Sequence, residues 1–183
     1  MRLYLTRVPS PIGTIQVVSD GEALRALDFH DYDERMQELL RTHYGAVKLS
    51  ARGDPLAMRE RLDRYFAGAF DAFAGLPLRT NGTPFQRAVW DALLTIPAGA
   101  TMSYGALAHA LAMPGAARAV GLANGANPIA IVVPCHRVIG ADGTLTGYGG
   151  GLPRKAWLLR HEGARFKERA VQMVLFTESA RGR

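Results

Sequence analysis

Residues 83–125 read TPFQRAVWDALLTIPAGATMSYGALAHALAMPGAARAVGLANG, and this stretch decides the fold of the second half of the chain. Thr83 is a favoured N-cap type, and Pro84 falls at the first helical position, where its fixed φ and missing N–H do no harm. Phe85, Val89, Trp90 and Leu93 recur at helical spacing up to Ile96. Pro97-Ala98-Gly99 then ends the helix. A second helix is expected over 103–111, with Tyr104, Leu107, Ala108 and Leu111 on one face. Met113-Pro114-Gly115 turns the chain into a third, from Ala116 to about Asn124. Two short helices joined by a Gly-containing turn form a helix-turn-helix candidate, a pattern that an ordinary helical corner shares.

The third helix is nearly bare. Ala116, Ala117, Ala119, Gly121, Ala123 and Gly125 leave Arg118 and Asn124 as its polar residues. Small residues read base edges poorly in a wide major groove. They let a helix lie close to a narrow surface, whether a minor groove or a neighbouring helix.

The first half reads as α+β. Short strands are expected at 3–7, 14–19 and 23–29, punctuated by Pro9-Ser10-Pro11-Ile12-Gly13 and Asp20-Gly21. Helices are expected at 33–43 (Met36, Leu39, Leu40) and 55–70 (Met58, Leu62, Tyr65, Phe66). The looser stretch 71–82 reads as a linker. The expected architecture is an N-terminal α+β domain over 1–79, a small antiparallel sheet with helices. A mainly α domain carrying the helix-turn-helix follows over 80–170, then an unassigned extension over 171–183.

Eleven basic and eleven acidic residues cancel in 1–82, whereas 83–183 holds eleven against five. The whole excess of +6 therefore lies in the second half, which points to an anionic partner there. No apolar run approaches the roughly 18 residues a membrane helix needs, and residues 1–10 lack a secretory h-region. One cysteine excludes an intrachain disulfide and a multi-cysteine zinc site, and fits a reducing, cytoplasmic setting.

That cysteine follows Ile129-Ala130-Ile131-Val132-Val133, read as a buried strand that Pro134 breaks. Neighbours along a regular strand point to opposite faces, so Cys135 and His136 cooperate only if the backbone bends there. A thiol with pKa near ~8.5 is mostly protonated at neutrality, and His136 supplies a base. Glu162 is the best acidic candidate to orient that base. The expected consequence is a thiol acidified into the range of about 3.5–7.5. An inert buried cysteine is the alternative. Gly147-Tyr148-Gly149-Gly150-Gly151 lacks the Lys-Ser/Thr of a phosphate loop. It reads as a surface loop, or as a lid with Tyr148 as an aromatic wall.

Several separate motifs, in order, resemble the O6-alkylguanine-DNA alkyltransferases, closest to the bacterial constitutive type. They are Thr83-Pro84-Phe85-Gln86, Ser103-Tyr104-Gly105, Ala117-Arg118-Ala119-Val120-Gly121, Asn127-Pro128, Pro134-Cys135-His136-Arg137-Val138, Gly147-Tyr148 and Leu158-Leu159-Arg160-His161-Glu162-Gly163. The resemblance covers about half the chain. It implies that Cys135 takes the alkyl group from O6-alkylguanine in DNA, with O4-alkylthymine as an open second substrate, and is consumed. His136 would act as base through a water, with Glu162 completing the relay. Asn127 would bond across the turn into the cysteine segment, and Tyr104 would stabilise the departing base. Arg118 would fill the gap left by a flipped nucleotide, with Ser103, Ala117, Ala119, Gly121 and Asn124 along a minor-groove surface. The carbonyls of Cys135 and Val138 would read the guanine amino group, and Tyr148, Gly149 and Gly150 would wall the pocket. No cofactor and no metal are implied; the partner is double-stranded DNA, and a monomer is expected.

Three positions depart from relatives: Gly149 in place of a serine, Gly125 in place of a basic residue, and Ala130 in place of proline. Two rival readings remain at this point, a lesion-binding module without chemistry and a cysteine hydrolase. A single alkyl adduct separates the first rival from a transferase, and turnover separates the second.

Overall fold

The structure, a computed structural model, describes residues 1–51 and 53–167; the extension expected at 171–183 lies outside them. Strands β1 (Arg2–Val8), β2 (Ile15–Ser19) and β3 (Leu24–Phe29) form an antiparallel meander. Helix α1 (Asp33–Tyr44) follows, with Asp33 and Glu34 in the first turn, where carboxylates favour the helix dipole, and Gly45 at φ +68° just past the end. Strand β4 (Lys48–Ala51) then joins β1 in parallel, so the sheet order is β3-β2-β1-β4 and the sheet is mixed rather than wholly antiparallel. β4 has no sequence signal because it is four residues long and only half-buried at an edge. Helix α2 (Met58–Phe66) is shorter than the expected 55–70. Asp54 caps it through the N–H groups of Met58 and Arg59 (2.8 and 2.7 Å), and Gly68 at φ +98° turns the chain away.

Helix α3 (Pro84–Leu94) opens on a complete capping box. Thr83 Oγ1 accepts from the Gln86 N–H at 3.2 Å, and Gln86 Oε1 accepts from the Thr83 N–H at 2.9 Å. A two-residue strand β5 (Met102–Ser103) leads into α4 (Tyr104–Ala110), and the turn through Gly115 (φ +90°) leads into α5 (Ala117–Gly125). Both α3 and α4 pack on α5. Strand β6 (Val138–Ile139) pairs in parallel with β5, and α6 (Leu152–His161) closes the domain.

The segment 129–133 is buried but is not a strand. Ile129 makes a single bridge to Leu27, and tight turns follow: the Val132 N–H bonds Ala130 O at 2.7 Å and the Val133 N–H bonds Ile129 O at 3.0 Å. Apolar composition reported burial correctly. The turn is set by Leu27 of β3, which holds Pro128 O and the Ala130 N–H at 2.9 and 2.8 Å.

One continuous core joins the two halves. Val8, Ile15, Leu27 and Phe29 of the sheet meet Leu62 and Tyr65 of α2, then Val89, Trp90 and Leu93 of α3 and Val120 of α5. Trp90 also donates its Nε1–H to Ala123 O at 2.9 Å, bracing α5 from behind. Gly82 makes room for that ring: a Cβ there would lie 2.4 Å from two Trp90 ring atoms. Trp90 is 2% exposed, so its ring has nowhere to swing. Gly82→Ala should lower stability by about 1–3 kcal/mol through overpacking, read as a shifted urea midpoint. An unchanged midpoint would mean that the ring can move aside.

Candidate active site

Cys135 begins a single 3-10 turn, Cys135–Arg137, directly after Pro134. This is the bend that the pairing of Cys135 with His136 requires. Asn127 holds the approach to it. Its Nδ2 donates to Val133 O at 2.9 Å, and its Oδ1 accepts from the Ile129 N–H at 3.0 Å. Between them Ile131 sits at φ +67°. A β-branched residue rarely adopts that conformation, which costs on the order of 1–3 kcal/mol and persists only where the surroundings impose it. Cys135 lies at the edge of a cavity of about 190 Å³ lined by Tyr104, Gly121, Asn124, Gly125, Gly147, Tyr148 and Gly149.

Behind the thiol is a fully buried relay. His136 Nε2 lies 3.0 Å from Glu162 Oε1. Arg137 grips the same carboxylate twice, Nε to Oε2 and Nη2 to Oε1, both at 2.8 Å. The Tyr65 hydroxyl donates to Glu162 Oε1 at 2.7 Å. Burial pushes the Glu162 carboxyl up, but hydrogen bonds and charge from His136 and Arg137 outweigh it and hold it below the usual carboxylate range. Burial pushes His136 below its ordinary value against the pull of Glu162. A neutral imidazole facing a carboxylate carries its proton on Nε2, which leaves Nδ1 as the acceptor. Nδ1 is buried and has no hydrogen-bond partner among the described residues.

The front wall is fixed by two cations from opposite ends of the chain. Lys155, fully buried, donates to Val138 O, Thr146 O and Gly147 O at 2.6, 2.8 and 3.1 Å. Burial brings its ammonium down to about 8, against the Cys135 charge. Arg35 of α1 pairs with Asp28 and donates to Gly125 O and Asn127 O at 2.8 and 3.2 Å, at the C-terminal end of α5. A Cβ at Gly149 would lie 2.5 Å from this guanidinium. Glycine at that position thus leaves the Arg35 head its place.

The remaining expected residues divide between surface and pocket. Arg118 and Ala119 are exposed, and Ala117 is half-buried beside them. Ser103 Oγ caps α4 by accepting from the Ala106 N–H at 3.1 Å. Gly121 faces the Tyr104 ring, and the Tyr104 hydroxyl donates to Thr146 O at 3.4 Å. Val138 and Gly150 are buried, and a Cβ at Gly150 would strike the Phe29 ring at 2.5 Å. Asn124, expected along the DNA-facing surface, turns inward instead: it is 5% exposed, lines the cavity and donates to Cys135 O at 3.3 Å. It sits on the inner side of α5, with Val120 and Ala123.

Residues 3–80 match the family model described as 6-O-methylguanine DNA methyltransferase, ribonuclease-like domain, and residues 84–164 match the DNA binding domain of the same family. The chain belongs to this family. The methylated-DNA–protein-cysteine methyltransferase of Shigella flexneri is 53% identical over 167 residues, 89% of this chain and 97% of that one. Its Mycobacterium tuberculosis counterpart is 48% identical over 166 residues, 89% of this chain and 94% of that one. Among solved structures, Mycobacterium tuberculosis OGT in complex with DNA matches with a TM-score of 0.74 at 48% identity, over 87% of this chain and 92% of that one. The O6-methylguanine-DNA methyltransferase of Pyrococcus kodakaraensis matches at 0.72 with 26% identity, over 88% and 99%.

Sequence reasoning gave no role to Tyr65, Arg137, Lys155 or Arg35. Lys155 had one available signal: it stands beside Ala156, three residues after Leu152 and four before Leu159, on what is otherwise the apolar face of α6. Tyr65 read only as a core position, and the target of its hydroxyl lies 97 residues away.

The thiol itself departs from expectation. Burial pushes Cys135 up, more strongly than the Asn127 hydrogen bond and the Lys155 and Arg35 charges bring it down. A raised value keeps the thiol protonated at neutrality, so thiolate accumulates only as pH climbs past the ordinary thiol value. Iodoacetamide labelling of the free protein should still be accelerating at that pH. An inflection at or below neutrality would restore the acidified thiol.

Proposed function

We propose that this family member repairs DNA by taking the alkyl group of O6-alkylguanine onto Cys135, once per molecule. The observation that carries the reading is the placement of the chain's one thiol at a cavity of about 190 Å³, with His136 held 3.0 Å from Glu162 behind it. The Cys135 sulfur attacks the alkyl carbon, the bond from that carbon to O6 breaks, and the guanine leaves with the electron pair. His136 accepts the thiol proton at Nδ1 through a water and passes it on to the departing base, while Glu162 stabilises the transient imidazolium. A high resting pKa suits this role, because the thiolate forms only when base and alkyl donor are in place together. The product is a thioether with no ready leaving group, so the protein is spent. The damaged base supplies the alkyl group, so the reaction needs no cofactor.

The target atom lies inside the stacked duplex, so the nucleotide must be extruded, at a cost of a few kcal/mol. Arg118 is the one long cation on a helix of small residues and is exposed. In this reading α5 lies along the minor groove and Arg118 fills the gap left by the base. Tyr104 then donates to the departing base, the Cys135 and Val138 carbonyls read its amino group, and Tyr148, Gly149 and Gly150 enclose it. Residues 80–170 carry acceptor and DNA surface, residues 1–79 support them, and the protein works as a monomer in the reducing cytoplasm.

Intact-mass measurement after incubation with an O6-methylguanine duplex should give one methyl adduct per chain, on the peptide containing Cys135. Cys135→Ser should lose transfer and keep DNA binding; more than one transfer per molecule would rule out the single-use mechanism. The finger role has its own test in single-turnover rates. Arg118→Ala should slow transfer from matched duplex most and from a mispaired lesion less, and leave free O6-methylguanine nearly untouched, since a mispaired base flips more cheaply. Equal slowing on all three substrates would assign Arg118 to the fold or the cysteine site.

A further inference from the structure

The Tyr65 hydroxyl comes from α2, in the half of the chain that carries neither the thiol nor the DNA-facing helix. It ends 2.7 Å from Glu162 Oε1, the oxygen that also faces His136 Nε2 at 3.0 Å. From this geometry we propose that Tyr65 is a positioning residue of the alkyl-transfer relay, through which the N-terminal half sets the strength and placement of Glu162. The inference rests on the functional reading above.

Packing alone does not call for a tyrosine. The ring is 1% exposed and sits edge-on or tilted among Phe66, Phe70, Phe73 and His161, surroundings that would accept a phenylalanine. Burying a hydroxyl is unfavourable unless it finds a partner, and this one finds an ionised carboxylate. The backbone of the same residue is also fixed to α6, since His161 Nε2 lies 2.8 Å from Tyr65 O. The donor therefore reaches Glu162 from a rigid point across the seam between the two halves.

The effect on chemistry follows from how a carboxylate shares its charge. Oε1 receives Tyr65, Arg137 Nη2 and His136, and Oε2 receives Arg137 Nε. Each donor drains charge from the oxygen that must stabilise protonated His136. Without the Tyr65 donor, Oε1 is a stronger acceptor, the imidazolium is held more tightly, and His136 stays protonated to higher pH. The carboxylate also loses one of the contacts that fix its rotamer. The other charged groups around the pair are Arg137 on the 3-10 turn and Lys155 on α6, both of which oppose protonation of His136. Cys135 and His161 complete the titratable set described nearby.

The test uses the full chain and single-turnover methyl transfer from an O6-methylguanine duplex, measured against pH. Tyr65→Phe keeps the ring. It should lower the plateau by about 3–10-fold and move the acid limb up by about half a pH unit, as loss of a charge-assisted hydrogen bond to the relay requires. In a Glu162→Gln background, Tyr65→Phe should produce no further change. Replacing Tyr65 by 3-fluorotyrosine, a stronger donor of nearly the same shape, should move the acid limb down; this arm decides the matter if the phenylalanine variant does not fold. An acid limb unmoved by either replacement, or the same slowing with and without Glu162→Gln, overturns the positioning role. Wild-type protein that transfers no methyl to Cys135 overturns the functional reading itself, and with it this proposal.

Discussion

The buried Glu162 carboxylate is the point on which the site depends. Its two oxygens receive donors from two separate parts of the chain, Tyr65 of α2 and His136 with Arg137 of the 3-10 turn, and Glu162 itself stands at the end of a third, α6. Arg137 extends the network by donating Nη1 to Ile96 O at 2.5 Å, just past α3. A lone ion in that environment would be expensive, and removal of one member of a buried pair typically costs about 3–5 kcal/mol. The carboxylate is therefore stable as an anion only while all these elements are assembled. The same condition that makes it tolerable in the core makes it a fixed support for His136.

A second constraint is closeness. Gly82 admits the Trp90 ring, Gly121 lies against the Tyr104 ring, and Gly149 and Gly150 leave room for Arg35 and Phe29. At Gly82, Gly149 and Gly150 a Cβ would meet its neighbour at under 3 Å, and glycine backbone together with Tyr104, Asn124 and Tyr148 lines the cavity beside Cys135. Such walls hold their shape without a ligand, because close-packed interiors deform little. The strained Ile131 stands in the turn that delivers Cys135, still buried, to the edge of the cavity.

Charge follows a different distribution in space than along the chain. The basic excess lies in the second half, yet Arg137 and Lys155 spend their charges inside it, and Arg154 pairs with Asp31 at 2.9 Å. Part of the excess therefore serves the site and the seam between the halves, and Arg118 is left as the exposed cation of α5. A net-charge argument identified the correct half, but summing charges could not separate surface cations from buried ones.

What the sequence determined by itself was local. The N-cap at Thr83, the helical spacing of α3 to α5, the glycine turn between α4 and α5, and the motif around Cys135 all depend on neighbours within a few residues, where side-chain type fixes the options. Cys135, His136 and Glu162 group by the chemistry a thiol nucleophile needs, and Asn127 and Tyr104 join them only through the family resemblance. Tertiary structure alone decided the rest. Hydrophobicity reports that 129–133 is buried, but a buried strand and a buried turn have the same composition, and Leu27 of β3 settles which it is. Strand β4 exists because β1 offers an edge. Asn124 faces inward because of where α5 packs. Tyr65 and Lys155 find their partners across the fold, since a buried hydroxyl or ammonium must bond to whatever the assembled chain places within 3 Å, and no local pattern encodes that distance.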